Sequence, residues 1–160
     1  MKLKEELGLD QAIETTEHEC LLNILYAGTM IYKASYVYFR KYGITDAQFN
    51  VLIQLRYARQ NTLSQADLGR RLVVNKADMT GIVDRLEKAG FVERADHPKD
   101  RRINIVNITR KGRDMVNKLE PGYFEGVKKL MSGIPKANME KIIKGMEKIR
   151  ENIRQEGLTR

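Results

Sequence analysis

Apolar residues recur at helical spacing along most of this chain and alternate with polar residues in one segment only. The clearest helical segment is Lys76–Ala89, in which Met79, Ile82, Val83 and Leu86 fall on one face. The other face is small near its start and basic toward its end, without a large apolar side chain. This pattern predicts a helix that packs by one side and leaves a small, hydrogen-bonding side exposed.

Three helices are predicted from one type of start signal, a capping side chain with a polar partner three residues later. The pairs are Thr45 with Gln48, Ser64 with Asp67, and Asn75 with Asp78. They predict helices over 46–57, 65–72 and 76–89. Only Val73-Val74-Asn75 connects the last two, and a turn this short cannot bring them antiparallel. The two helices are therefore expected to cross steeply, as in a helix-turn-helix.

A period of two replaces the helical pattern after Gly90. Phe91–Arg94 and Ile103–Ile108 are predicted to be the two strands of a hairpin. Residues 95–102 between them are interpreted as a polar, Pro-containing loop with three cations and two carboxylates. A helix-turn-helix followed by a charged hairpin is typical of a winged helix.

Further helical patterns flank this region. One runs from Gln11 to Lys41, and part of a helix this long is predicted to pack against another chain. After the hairpin, Thr109 can cap a helix in which Pro121-Gly122 predicts a kink or break. A last helix is expected from about Lys136 to Arg154. The apolar residues it is expected to bury are Met139, Ile142, Met146, Ile149 and Ile153.

Basic charge is concentrated in the middle of the chain. The net charge is +8, and residues 62–113 carry twelve basic and seven acidic side chains, whereas residues 1–61 carry seven of each. The predicted winged helix is therefore where a polyanion such as double-stranded DNA would be held.

Several classes of protein are disfavoured by the composition. No run of eighteen apolar residues exists and the charged N-terminus lacks an apolar signal core, so we expect no membrane partner and a cytoplasmic location. Cys20 is the single cysteine, and His18 and His97 are far apart, so no metal and no cofactor are expected. No catalytic set or Gly-rich nucleotide loop stands out, which argues against an enzyme.

Five segments together resemble the MarR family of bacterial and archaeal transcriptional regulators. They are Ile44–Phe49, Leu63–Leu72, Asn75–Arg94, Asp100–Arg102 and Ile108–Gly112. The resemblance covers about residues 20–150 and rests on the joint occurrence of the segments in this order. It implies a mainly α-helical fold with a winged helix-turn-helix lobe. It also implies a homodimer in which the first helix and the last two helices of each chain interlock.

The implied organisation is one MarR-type domain over residues 18–153, preceded by a frayed tail at 1–10. The dimerisation helices are assigned to 11–42 and 114–155, and the winged-helix DNA-binding lobe to 45–113. Within the lobe, the helix-turn-helix occupies 64–89 and the wing 91–108.

In such a fold the exposed side of the second helix enters the major groove of DNA. Short side chains let it approach, Thr80 can bond a base edge or touch a thymine methyl group, and Lys76 and Arg85 can reach guanine or phosphate. At the start of the preceding helix, a backbone N–H and a hydroxyl can bind phosphate. The full set expected here is Ser64, Gln65, Asn75, Lys76, Ala77, Thr80, Gly81 and Arg85.

The wing carries the family's Asp-x-Arg pattern at Asp100 and Arg102. We expect Asp100 to pair with an arginine and stiffen the loop, while Arg102 or its neighbour Arg101 enters the minor groove. Arg94 and Lys99 are expected to contact phosphate. A surface salt bridge without a role in DNA binding is the competing interpretation.

The sequence offers two candidate regulatory sites, one for a small-molecule effector and one for redox sensing. The family places effectors between the dimer stem and the lobe, and plain core packing is the alternative for each candidate. The candidates are Tyr26, Met30, Phe49, Ile53 and Arg56. A branch of the family senses organic peroxides through a lone cysteine beside tyrosines, which would be Cys20, although Glu17 and Glu19 disfavour its thiolate.

The sequence thus predicts a sequence-specific, double-stranded DNA-binding transcriptional regulator. It is expected to bind a pseudo-palindromic operator as a homodimer, to act as a repressor, and to be released by a small aromatic or anionic effector. The alternatives are a redox-sensing regulator of the same fold that uses Cys20, and a winged-helix interaction module that does not bind DNA.

Overall fold

The computed structural model describes residues 3–97 and 100–157, apart from the side chains of residues 100–102. The helices are α1 (Leu3–Glu6), α2 (Thr16–Phe39), α3 (Asp46–Arg56), α4 (Gln65–Leu72), α5 (Lys76–Lys88), α6 (Arg110–Leu130) and α7 (Lys136–Gln155). The strands are β1 (Thr62–Ser64), β2 (Val92–His97) and β3 (Asp100–Ile108). The chain divides into two compact units, one up to residue 117 and one from residue 118. No helix in the described part combines the length and apolar character that crossing a membrane requires.

The three predicted capping residues start α3, α4 and α5. Thr45 and Gln48 form a reciprocal capping box, with hydrogen bonds of 3.2 and 2.8 Å. Ser64 and Asn75 each accept a bond from the backbone N–H three residues later. The buried residues of α5 are the four predicted from their spacing, Met79, Ile82, Val83 and Leu86. The predicted mainly α-helical winged helix-turn-helix fold is confirmed.

A three-stranded antiparallel sheet of order β1-β3-β2 lies where a two-stranded hairpin was predicted. No alternation marks β1 in the sequence, yet its Leu63 pairs with Val106. The hairpin is also longer than predicted, because β2 continues to His97 and β3 begins at Asp100. Antiparallel partners satisfy each other's backbone groups whatever their side chains, so a polar segment interpreted as loop is strand here.

The core of the first unit brings α3, α4 and α5 together with the sheet. The rings of Phe39 and Phe49 lie 4.6 Å apart and join the end of α2 to α3. Beside the sheet, the Thr109 hydroxyl accepts the N–H of Gly112 at 3.1 Å and caps α6 as predicted. The largest fully buried side chains include Phe39, Phe49, Leu52, Leu55, Leu68, Met79, Leu86 and Val106.

The N-terminal region differs from its prediction in two places. α1 is a short helix with a buried Leu3, where a frayed tail was expected. α2 begins at Thr16 rather than Gln11, because the Thr15 side chain accepts the N–H of His18 at 3.2 Å and caps the helix there. Many of its apolar residues are exposed in the single chain. They are Leu21, Leu25, Met30, Ile31, Tyr32, Tyr36 and Val37.

The second unit contains the later part of α6, a turn at Gly133 and α7. Of the kink or break predicted at Pro121-Gly122, the break is wrong, because α6 continues through Pro121 as one helix, and the kink stays a prediction. All twenty residues of α7 are described and none is buried, so its expected burial of Met139, Ile142, Met146, Ile149 and Ile153 is wrong for the single chain. The physical reason is that a pair of helices offers too few neighbours to enclose an apolar face.

Candidate nucleic-acid interface

Two side chains expected to contact DNA are engaged as helix caps. The Ser64 hydroxyl accepts the N–H of Asp67 at 3.0 Å and donates to the Asp67 carboxylate at 2.6 Å. This hydrogen bond from Ser64 is the main cause that lowers the pKa of Asp67. Asn75 accepts the N–H of Asp78 at 2.9 Å and donates to its carboxylate at 2.7 Å. A phosphate contact at α4 would therefore fall to the backbone N–H groups of its first turn.

The turn between α4 and α5 depends on a strained residue. Val73 has φ 53° and ψ 46°, in the left-handed region, and the residue is 85% exposed. This region is unfavourable for a β-branched side chain. The turn is closed by a hydrogen bond of 2.9 Å from the N–H of Val74 to the carbonyl of Gly69. A Cβ at Gly69 would lie 3.0 Å from the Val74 oxygen, so the close turn favours glycine there.

The outer face of α5 carries the residues predicted to face the groove. Lys76, Ala77 and Arg85 are exposed, and Thr80 and Gly81 are half-buried. No carboxylate in the described part of the chain forms an ion pair with Lys76 or Arg85. A Cβ at Gly81 would lie 3.4 Å from a guanidinium nitrogen of Arg85, so the missing side chain gives Arg85 room. The face combines two cations with small side chains, as the sequence predicted.

Gln65 acquires a role that the sequence did not indicate. The residue is 9% exposed, and its Nε2 donates to the Thr80 hydroxyl at 2.7 Å. The Thr80 hydroxyl in turn donates to the Lys76 carbonyl at 2.8 Å. The side chain of Gln65 thus connects α4 to α5, and a contact from Gln65 to DNA is left to its backbone N–H.

Arg94 is held by α5. Its guanidinium pairs with Asp84 and Glu87, and its backbone N–H donates to Glu87 at 3.0 Å. Partial burial alone would lower the pKa of Arg94, but the hydrogen bonds that its guanidinium donates to the carboxylates of Asp84 and Glu87 outweigh it and raise that pKa. The structure favours a brace between β2 and α5 over the expected phosphate contact. Two carboxylates one helical turn apart, followed by an arginine in the next strand, are the sequence signal that was missed.

The remaining wing residues can be placed only in part. Lys99 lies outside the described residues, and Asp100, Arg101 and Arg102 are described as the first backbone positions of β3. The register pairs His97 with Asp100 at one end of the hairpin and Val92 with Ile108 at the other. The three residues therefore stand at the end remote from α6. The pairing of Asp100 and the minor-groove contact stay predictions.

The candidate effector residues do not share one environment. Phe49 is 1% exposed and packs on Phe39, so it belongs to the core and cannot line an open site. For this residue the structure favours core packing, the alternative stated from the sequence, over a place in the effector site. Tyr26, Ile53 and Arg56 are half-buried and Met30 is exposed, so an effector site that uses them stays a prediction.

Cys20 is exposed in the first turns of α2. At 1.5 Å of rise per residue, Tyr26 lies about 9 Å and Tyr32 about 18 Å further along the helix axis. Tyr32 and the later Tyr36 are thus too far along the same helix to hydrogen-bond this thiol. Within one chain, the geometry lends no support to the redox-sensing alternative.

The fold and the exposed face of α5 define a winged helix-turn-helix protein, and comparisons with known proteins supply the family. The MarR family model matches residues 42–103, from before α3 into the wing. The HTH-type transcriptional repressor YetL of Bacillus subtilis is 30% identical over 107 residues, which are 67% of this chain. The match spans 64% of the length of YetL.

Two solved structures share the fold. Sco3205, a MarR family transcriptional regulator from Streptomyces coelicolor crystallised with DNA, has a TM-score of 0.81 at 21% identity, covering 90% of this chain and 92% of that one. BpsR of Bordetella bronchiseptica, whose DNA binding is regulated by 6-hydroxynicotinic acid, has a TM-score of 0.71 at 24% identity, covering 86% and 94%. The chain belongs to the MarR family, whose members are transcriptional regulators and not enzymes.

Proposed function

We propose that this protein is a sequence-specific regulator of transcription that binds double-stranded DNA through the outer face of α5. The observation that carries the proposal is the division of this helix into two faces. Its four large apolar residues are buried, and its outer face offers Lys76, Arg85 and small side chains to a groove. The basic charge of residues 62–113 supports the same surface.

The proposed contacts separate into three kinds. Ala77, Thr80, Gly81 and Arg85 face the bases of the major groove, and Lys76 at the start of α5 contacts phosphate. The backbone N–H groups that follow Ser64 bind phosphate at the start of α4. In the wing, Arg102 or its neighbour Arg101 enters the adjacent minor groove and Lys99 contacts phosphate, while Asp100 pairs with an arginine and stiffens the loop. Arg94 is not among the proposed DNA contacts, because its guanidinium already forms ion pairs with Asp84 and Glu87.

We propose a homodimer as the DNA-binding form. Large apolar side chains of α2 and α7 are exposed in the single chain, including Tyr32 at 63% and Ile143 at 56%. Exposed apolar surface on helices of this length is typical of a protein interface. A two-fold dimer would present two α5 helices to half-sites about one helical turn apart, about 34–36 Å. Sedimentation equilibrium should then give twice the chain mass of 18.5 kDa.

We propose that binding represses transcription, because the bound protein occludes a promoter. The proposed location is the cytoplasm, where the DNA lies. Repression is supported by the name of YetL as a repressor. In vitro transcription from the bound promoter should fall as protein is added, and a rise would assign activation instead. We propose a small aromatic acid as the releasing ligand, on the example of BpsR, and 6-hydroxynicotinic acid is the first compound to titrate.

The experiment that tests DNA binding is a fluorescence anisotropy titration of a labelled duplex taken from upstream of the chain's own coding sequence. Raising salt from 50 to 200 mM should weaken binding by about 10³-fold or more if six or more phosphates are contacted. Lys76→Ala should lower the salt slope by about one unit. Lys136→Ala removes the same charge from α7 and should leave the slope unchanged. Undetectable or salt-independent binding would favour an interaction module that does not bind DNA.

A further inference from the structure

The hydrogen bonds of Thr80 determine what this side chain can offer to a DNA base. A hydroxyl group has one proton to donate and two lone pairs that accept. The Lys76 carbonyl at 2.8 Å can only accept, so it takes the proton. The group at 2.7 Å must then be a donor, and it is the Nε2 amide of Gln65. If the Gln65 amide were rotated by 180°, its Oε1 would face the Thr80 hydroxyl. The single proton of that hydroxyl would then have two acceptors, Oε1 and the Lys76 carbonyl.

Gln65 adopts this arrangement although it leaves another of its atoms unsatisfied. The Oε1 atom is buried and has no hydrogen-bond partner among the described residues. A buried acceptor without a partner is unfavourable, and native structures hold few of them. In native proteins, unfavourable local features such as an unsatisfied buried polar atom are expected mainly at functional sites. Here the unsatisfied acceptor belongs to Gln65, whose amide holds the Thr80 hydroxyl on the outer face of α5.

We propose that Gln65 is a positioning residue that makes Thr80 read the C5-methyl group of a thymine. With its proton on Lys76 and one lone pair on Gln65, Thr80 has its γ-methyl group and a single lone pair left for DNA. Guanine N7 and O6, adenine N7 and thymine O4 are acceptors, and Thr80 has no proton for them. Its remaining lone pair could accept only from cytosine N4 or adenine N6, a contact that Thr80→Ser would keep. The thymine methyl group requires only an apolar contact. This inference rests on the proposed function, because it needs α5 in the major groove.

The test removes one methyl group from each side of the interface. Wild-type protein first selects duplexes from a random-sequence pool, and each thymine of the selected duplex is then replaced by deoxyuridine, which lacks only the C5-methyl group. We expect one position in each half-site where this replacement weakens wild-type binding about four-fold, the value of one buried carbon. Thr80→Ser, which loses the methyl group, should bind both duplexes equally. Thr80→Val keeps it, and because valine has one strongly preferred rotamer in a helix it needs no hydrogen bond to fix the methyl group, so this variant should retain the difference.

Several outcomes would overturn the inference. They are a deoxyuridine effect in Thr80→Ser as large as in wild type, the absence of an effect at every thymine, and a loss of the effect in Thr80→Val alone. Failure of the wild-type protein to select any duplex would instead contradict the proposed function, so the two failures are distinguishable.

The positioning role of Gln65 has its own test. Gln65→Leu cannot donate, so the Thr80 hydroxyl keeps only its bond to the Lys76 carbonyl, and the Thr80 rotamer that directs the methyl group is held by one hydrogen bond instead of two. A repeated selection should then show a weaker preference for thymine at this position, in protein whose circular dichroism matches wild type. Gln65→Met, which also cannot donate, is the second variant and should weaken it too. Unchanged preference in a folded variant would exclude the role, because a merely structural side chain would not alter base choice.

Discussion

Replacing Gly112 by alanine tests how closely α6 packs against the base of the wing. A Cβ at this position would lie 2.1 Å from the Phe91 carbonyl oxygen and 2.8 Å from a side-chain carbon of Ile108. The Phe91 oxygen already accepts the N–H of Thr109 at 3.0 Å, so it cannot retreat without loss of that bond. Overpacking of this kind costs about 1–3 kcal/mol, and the better helix propensity of alanine returns about 1 kcal/mol. The clash is with a backbone atom that cannot move aside, so the cost should lie at the upper end of this range. We therefore expect a net loss of about 2 kcal/mol in the free energy of unfolding.

Urea denaturation at one protein concentration measures this loss, and the slope of the transition should not change. The matched control is Gly126→Ala in the same helix, where a Cβ would meet no heavy atom of the chain within 4 Å. That variant should be more stable than wild type by about 1 kcal/mol. The reasoning is refuted if Gly112→Ala is as stable as wild type, or if both variants shift stability in the same direction.

Three further substitutions test the helix-turn-helix and the wing. Val73→Asn puts a residue that tolerates the left-handed region into the turn, so thermal denaturation should show a gain of about 1 kcal/mol, whereas Val73→Ile should show none. Arg94→Met removes the brace and should cost about 1 kcal/mol of stability, because its ion pairs are partly exposed. It should also weaken DNA binding measured by anisotropy, since Asp84 and Glu87 would then repel phosphate; wild-type affinity would contradict the brace. Ser64→Ala removes the bond that lowers the pKa of Asp67. A lowered pKa contributes stability above the ordinary value of 3.8, and this is lost as pH falls through the folded value, so the denaturation penalty should be larger near neutral pH than in strong acid. An equal penalty at both would contradict this coupling.

Local sequence signals predicted the helices of the DNA-binding lobe, because caps and apolar faces depend on residues three or four positions apart. Thr45, Ser64 and Asn75 all cap the helices assigned to them. β1 could not be predicted in this way, because its partner strand lies more than forty residues later and three residues are too few to show a period.

The site shows the same limit. The sequence indicated which residues of α5 are buried, and hence which face is exposed. It did not indicate that Gln65 bonds to Thr80 fifteen residues later, or that Arg94 bonds to Asp84 and Glu87. These pairs join residues on different elements. They form only when α4 packs across α5 and β2 lies beside α5. For Phe49 the sequence left two interpretations, ligand site and core packing, since an aromatic residue has the same pattern in both, and its burial favours the core.

Hydroxyl-radical footprinting is the most direct test of the claim that a pair of α5 helices reads DNA. The wild-type protein would be bound to a duplex that it has selected from a random-sequence pool. We predict two protected segments on one face of the duplex, with centres about one helical turn apart, 10–10.5 base pairs. Protection should be lost at salt concentrations that release phosphate contacts. A single protected segment, or no protection confined to a particular sequence, would contradict the account.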